Sequence, residues 1–250
     1  MYEKFKALHQ GRQAFVLANA WNPESARIFQ QNGFPAIGTS SAAIAKSLGY
    51  QDGEGMSFAA YLFIIRRMAG VTQVPFSVDL EMGFGETVAE IQANILQLSA
   101  LGVVGINLED SRITNGKRVL QDARSFAEKL SRLREVPMFI NVRCDTYLLG
   151  VAHPQEESTR RAQLYQAAGA DGLFLPCIVD PEDIKAAVAA TSLPLNVMAM
   201  PTLPDLGTLS HLGVKRLSMG PALFEWTYDQ INRCPLIPSL YCRSGSPTPP

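Results

Sequence analysis

The sequence predicts a (β/α)8 barrel of the TIM type. Three observations carry that expectation: short apolar runs rich in β-branched residues recur eight times, amphipathic stretches separate them, and several of those stretches open on a proline or capping residue and close on glycine. Strands apolar enough to be covered on both faces, alternating with helices, make a parallel sheet, and eight repeats suffice to close it. A doubly wound open sheet is the alternative, because strand number alone does not establish closure.

In chain order the strand-like runs are AFVLANAW, AIGTSS, FSVDLE, VVGINLED, MFINVRCD, GLFLPCI, LNVMAM and KRLSMG. Helical segments fall between and after them, near 23–32, 57–69, 87–101, 121–134, 156–168, 181–190, 204–212 and 221–232. Pro23, Ser57, Thr87 and Pro181 start four of these: a first-turn proline forfeits no helical hydrogen bond, and a Ser or Thr side chain caps the free amides. Gly33, Gly102 and the Gly169-Ala170-Asp171 triplet mark turns back into strands. The segment 234–250, CPLIPSLYCRSGSPTPP, has four prolines in its last thirteen residues and no helical period, so it is expected as a tail behind a single domain spanning 1–233.

With 250 residues, 47% of them hydrophobic, the chain can bury one large core. A formal charge of −1 without a Lys/Arg block lacks the basic stripe that phosphate backbones and acidic membranes attract, so small molecules rather than nucleic acid or membrane are the expected partners. No apolar run reaches the roughly 18–20 residues of a membrane span, and MYEKFKALHQGRQ lacks a signal-peptide core. A cytoplasmic enzyme is the expectation. Cys144, Cys177, Cys234 and Cys242 form no C-x-x-C pair and read as reduced thiols, and His9, His153 and His211 stand singly in structural or surface roles.

In a parallel barrel the reacting groups sit at the C-terminal ends of the strands. Asp79 and Glu81 in VDLEMGFG are two apart, so a strand running through both aims them at one side, and the glycines beyond leave space for a ligand. GINLEDS brings Glu109 and Asp110 to the same height, and INVRCDT brings Arg143 and Asp145. Asp79, Glu81 and Glu109 in one mouth would repel one another unless a cation sat among them, and oxygen-only ligands select a hard ion, magnesium or manganese. Arg143 offers a fork for a carboxylate or phosphonate, and Gly38-Thr39-Ser40-Ser41 offers hydroxyls and amides for an anion. The plainer reading of any one acid, Asp110 above all, is a cap on the next helix.

At these residues the chain resembles the isocitrate lyase and phosphoenolpyruvate mutase superfamily, closest in style to its phosphoenolpyruvate mutase-like branch. The resemblance runs from about Ala14 to Tyr228, through LANAWNPESARIFQQNGFPAIGTSSAAIAKSLGYQDGE, VDLEMGFG, GINLEDS, INVRCDTY and GADGLFLPCIVDPEDI, in the family's order. It implies a barrel of the phosphoenolpyruvate/pyruvate class whose mouth binds Mg²⁺ and an α-oxocarboxylate or phosphonate, with a C–C or C–P bond made or broken through a pyruvate enolate. It also implies roles. Asp79 matches the direct metal ligand at the substrate, Glu81 the second acid, one methylene longer than the usual aspartate, and Glu109 the third. Asp52 matches the aspartate that holds the metal's water shell, Ser40, Ser41 and Ala42 the segment that binds the substrate's oxygens beside Thr39, and Arg143 the arginine that grips the anion.

Two departures narrow the activity. The loop SRITNGKRVLQ lacks the cysteine of the lyases that cleave isocitrate or methylisocitrate, so that chemistry is not expected. Thr114-Asn115 matches two residues of the phosphonomutase and phosphonopyruvate hydrolase loops, which makes Asn115 a catalytic candidate, although a Thr-Asn pair beside glycine is also an ordinary turn. Pro176 stands where the mutases carry a histidine, and Cys177 beside it reads as a small apolar residue. The resemblance further implies a homo-oligomer, dimer or tetramer, with an exchanged eighth helix in many members. The expected activity is therefore oxaloacetate decarboxylase-like or phosphonopyruvate hydrolase-like, with Ser111–Leu120 as a lid. The alternatives are an oxoacid-binding barrel without turnover and a phosphonomutase.

Overall fold

The computed structural model describes residues 1–53, 55–133 and 137–234. In chain order its first half contains α1 (Tyr2–Leu8), β1 (Phe15–Ala20), α2 (Pro23–Gln31), β2 (Ile37–Thr39), α3 (Ser41–Ser47), α4 (Phe58–Ala69), β3 (Phe76–Asp79), α5 (Val88–Ala100) and β4 (Gly105–Glu109). The second contains β5 (Ser111–Thr114), β6 (Lys117–Leu120), α6 (Ala123–Leu133), β7 (Phe139–Arg143), α7 (Pro154–Ala167), β8 (Gly172–Leu175), α8 (Pro181–Ala190), β9 (Leu195–Met198), α9 (Leu206–His211), β10 (Arg216–Ser218) and α10 (Ala222–Asn232). Hydrogen bonding runs β1-β10-β9-β8-β7-β4-β3-β2 and back to β1. The eight parallel strands thus close into the expected barrel. From residue 235 on, the expected tail lies outside the described residues.

The helix starts follow the caps. Asn22 and Thr87 form capping boxes with Ser25 and Glu90, and Ser57, Asp180 and Asp205 accept from amides of the first turn. Among the described residues no helix is long and apolar enough to cross a membrane.

Three elements depart from the expectation. The segment 111–120, expected as a loop, is an antiparallel hairpin, β5 with β6, inserted after the fourth barrel strand. The short α3 fills the stretch after β2, capped by Ser40, whose Oγ accepts from Ala43 N at 3.2 Å. Helix α1 is seven residues long and has no side-chain cap, so packing rather than propensity holds it. Its Phe5 is fully buried beneath the barrel with Phe15, Leu17, Ala36, Val104 and Phe139. A Cβ at Gly105 would come within 2.6 Å of the Phe5 ring, which is why the floor of the barrel has glycine there. His9 completes the plug: it stacks on Phe139 with centroids 4.3 Å apart, and its Nδ1 lies 2.9 Å from Phe5 O. A carbonyl only accepts, so Nδ1 carries the proton.

Candidate active site

Strand β3 ends at Asp79, and the backbone of that residue is clamped from two sides. Tyr61 Oη on α4 donates to Asp79 O at 2.7 Å, and Asp79 N donates to Thr39 Oγ1 at 2.8 Å. The Thr39 and Tyr61 hydroxyls are 3.1 Å apart, and because the Tyr61 proton is committed, Thr39 is the donor between them. The side chain is fixed as firmly: Ser41 Oγ donates to Oδ2 at 2.7 Å and Asn107 Nδ2 to Oδ1 at 3.2 Å. Oδ2 also accepts from Ser41 N, at 3.5 Å, so the oxygen with a lone pair left over is Oδ1. Asp79 lines a cavity of about 350 Å³ at the C-terminal mouth, shared with Asn19, Thr39, Ser40, Ser41, Ala42, Asp52, Asn107, Arg118, Arg143 and Pro176.

The opposite wall is an ion-pair network. Arg143, in register with Glu109 across β4 and β7, places Nη1 3.1 Å from Glu109 Oε2 and holds Asp145 with Nε and Nη2 at 2.6 and 3.2 Å. Arg118 from β6 reaches Glu109 Oε1, bonds Ser111 Oγ at 3.0 Å, and stands 3.6 Å from both Asp52 and Asp145. Burial pushes the Glu109 carboxyl up, to about 7, against the two guanidinium groups that favour its charged form. Gly53 lets the Asp52 turn pack close under the hairpin, since a Cβ there would lie 2.8 Å from Ile113 Cγ1.

The structure gathers Thr39, Ser40, Ser41, Ala42, Asp52, Asp79 and Arg143 around one cavity. It does not assemble the expected three-acid cage. Strand geometry stops at Asp79, Leu80 is fully buried, and Glu81 has a φ of 50°, so the alternation that would aim Glu81 beside Asp79 is broken. Glu109 is buried behind the arginines rather than facing the cavity. Among the described residues no three His, Cys, Asp or Glu side chains cluster at metal-holding distance. Asn115 lies exposed at the hairpin tip, with φ 51° followed by Gly116 at 73°, the paired positive values of a tight two-residue turn, and does not line the cavity. Asp110 is not a helix cap: fully buried, it accepts from Arg161 Nη1 at 2.8 Å, Tyr165 Oη at 2.6 Å and Asp145 N at 3.0 Å.

Sequence reasoning missed Arg118, Asn107, Asn19 and Tyr61. The Asn115-Gly116 pair flanked by strand-formers is a hairpin signal that could have brought Arg118 back over the mouth. The other three depend on which strands and helices become neighbours, which no local pattern encodes.

Fold and site define a (β/α)8 protein with an aspartate, a serine run and two arginines in its mouth. The chain belongs to the phosphoenolpyruvate phosphomutase family, whose profile matches residues 5–234. An uncharacterized protein of Mycobacterium tuberculosis is 34% identical over 219 residues, covering 86% of this chain and 81% of that protein. An oxaloacetate decarboxylase of Pseudomonas savastanoi pv. phaseolicola is 27% identical over 240 residues, 90% and 81% of the two chains. A phosphonopyruvate hydrolase of Variovorax sp. is 26% identical over 226 residues, 83% and 77%. Among solved structures, a candidate phosphonomutase from Burkholderia cenocepacia J2315 superposes with a TM-score of 0.86 at 34% identity, covering 92% of this chain and 96% of that one. A phosphonopyruvate hydrolase in complex with oxalate and Mg²⁺ shares the fold, with a TM-score of 0.78 at 23% identity and coverage of 93% and 87%.

Proposed function

We propose that this protein is a divalent-metal-dependent lyase or hydrolase that breaks a C–C or C–P bond in a small α-oxocarboxylate or its phosphonate analogue. The observation that carries the reading is Asp79, pinned by Ser41 and Asn107 with a lone pair to spare on Oδ1, facing two arginines across one small cavity. The relatives named as oxaloacetate decarboxylase and phosphonopyruvate hydrolase support the substrate class.

The donor chemistry fits Mg²⁺, which keeps several waters and takes one or two carboxylates, the remaining positions falling to substrate oxygens. Asp79 would hold the ion and Asp52 its water, with Glu81 and Glu109 as further acids behind. When bound, the ion supplies electrophilic stabilisation of the charge that develops on the keto oxygen. Ser40, Ser41 and Ala42 bind the oxoacid end, and Arg143 with Arg118 binds the second anionic group. Pro176 lines the cavity just past the end of β8, and among the described residues no histidine does. That favours decarboxylation, in which the C–C electron pair passes into the enolate, CO₂ leaves and a proton from water completes pyruvate, with no side chain needed to accept a phosphoryl group. Self-association belongs to the same reading, supported by Trp226, Tyr228 and Ile231 exposed on α10.

The test is pyruvate release from oxaloacetate, phosphonopyruvate and 2-methylisocitrate, each with Mg²⁺ and with chelator. Metal-dependent release from oxaloacetate above the enzyme-free rate supports the reading. Silence across the panel, with oxalate raising Tm only when Mg²⁺ is present, would favour an oxoacid-binding barrel instead.

A further inference from the structure

Arg216 heads the fully buried side chains of the barrel by volume, and among the described residues its guanidinium pairs with no carboxylate. Its Nε donates to Ser218 Oγ at 3.0 Å and its Nη2 to Asn107 Oδ1 at 3.4 Å, while Nη1 has no hydrogen-bond partner among the described residues. A guanidinium buried without a counter-ion costs several kcal/mol, and a neutral side chain of similar volume would pack the same space without that cost. The fold itself therefore gives no reason for the charge at this position.

The reason lies one residue away, in the amide of Asn107. On neighbouring strands β3, β4 and β7, Asp79, Asn107 and Asn141 are register partners in one row. Asn141 Nδ2 donates to Asn107 Oδ1 at 2.9 Å, and Arg216 Nη2 approaches the same oxygen. With two donors on its oxygen, the amide turns its nitrogen toward Asp79 Oδ1. A flipped amide would set oxygen against carboxylate. Burial pulls the Arg216 guanidinium down, to about 9, and Asp79 is the carboxylate whose charge pulls it back. His9, below, is held neutral by burial and by Arg216 itself, so it adds no charge to the row.

We propose that Arg216 is a positioning residue for the metal-holding carboxylate, fixing through Asn107 the orientation of Asp79 and placing a buried positive charge beneath it. The proposal rests on the reading of Asp79 as the group that holds the ion.

The experiment is Mg²⁺ titration calorimetry, with the metal alone as probe, alongside Tm in chelator, on the full chain and its Asp79→Ala, Arg216→Met and Arg216→Lys variants. Outer hydrogen-bond partners of metal ligands are worth about 10- to 100-fold in affinity, so Arg216→Met should lose that much Mg²⁺ affinity while keeping or raising its Tm in chelator. Arg216→Lys, which keeps the charge and loses the fork, should recover part of the loss. Wild-type affinity in Arg216→Met overturns the proposal. Should Arg216→Met not fold, Asn107→Ser breaks the same relay at its middle, with the same expected loss and the same overturning result. If the wild type binds Mg²⁺ no better than Asp79→Ala, the reading of Asp79 fails and the proposal falls with it; if only the Arg216 and Asn107 variants match wild type, the reading stands and the proposal alone is overturned.

Discussion

Arg118 and Glu109 pair across the mouth of the barrel, the guanidinium carried by the inserted hairpin and the carboxylate by the end of β4. The pair does two things at once. It gives a buried carboxylate a counter-charge, and it draws the hairpin over the cavity in which the substrate's second anionic group would sit.

Replacing Arg118 by Gln should remove one charge-assisted hydrogen bond to that group, worth about 1.5–3 kcal/mol. The expected outcome is a KM for oxaloacetate raised about 10- to 100-fold, with a far smaller change in affinity for a ligand that has a single carboxylate. Steady-state kinetics with oxaloacetate and binding of pyruvate check it.

Tyr61→Phe should destabilise the protein by about 1–2 kcal/mol, because it removes the donor to Asp79 O and leaves Thr39 Oγ1 and that carbonyl without their buried partner. Urea unfolding monitored by circular dichroism measures this directly.

Asp110→Ala should cost about 1.5–3 kcal/mol, since it removes the buried acceptor of Arg161 Nη1, Tyr165 Oη and Asp145 N, while Arg161 keeps Glu157 as a counter-charge through Nε. The loss should also loosen Asp145, and with it the fork of Arg143. A variant of undiminished stability in urea would count against this network.

Acid should destabilise the protein partly through His9. Burial, and then Arg216, pull its imidazole down from 6.5 to about 3. The folded state therefore keeps His9 neutral while the unfolded chain takes up a proton below about pH 6.5, so the stabilisation is complete above that pH and is lost as the pH falls toward 3. Between pH 7.5 and 5 this amounts to about 2 kcal/mol. His9→Gln should lose correspondingly less stability over that interval, measured by calorimetry at the two pH values.

Much of the barrel was legible because its rules are local. Eight apolar runs, Ser57 and Thr87 as caps, and the prolines at 23 and 181 each act within a few residues of themselves, and the elements they announced are present. What escaped depended on long-range packing. Helix α1 exists because Phe5 finds the barrel floor. The orientation of Glu81 does not follow from the sequence, because period-two reasoning holds only while the chain stays a strand, and β3 stops at Asp79. Asn107 and Arg216 became neighbours only when β4 and β10 faced each other across the closed barrel, a relation separated by 109 residues in sequence. Asp79, Ser40, Ser41 and Arg143, by contrast, stand at ends of predicted strands, and the cavity lies there.

In the proposed function, Asp79 holds a divalent ion that makes an α-oxoacid reactive. The most direct measurement is pyruvate release from oxaloacetate at saturating Mg²⁺ by the wild type and by Asp79→Ala, with Tm confirming that both are folded. Release above the enzyme-free Mg²⁺ rate is expected from the wild type, with chelator abolishing it, and none above that rate from Asp79→Ala. Equal release by both proteins, or release indifferent to chelator, would rule out that role for Asp79.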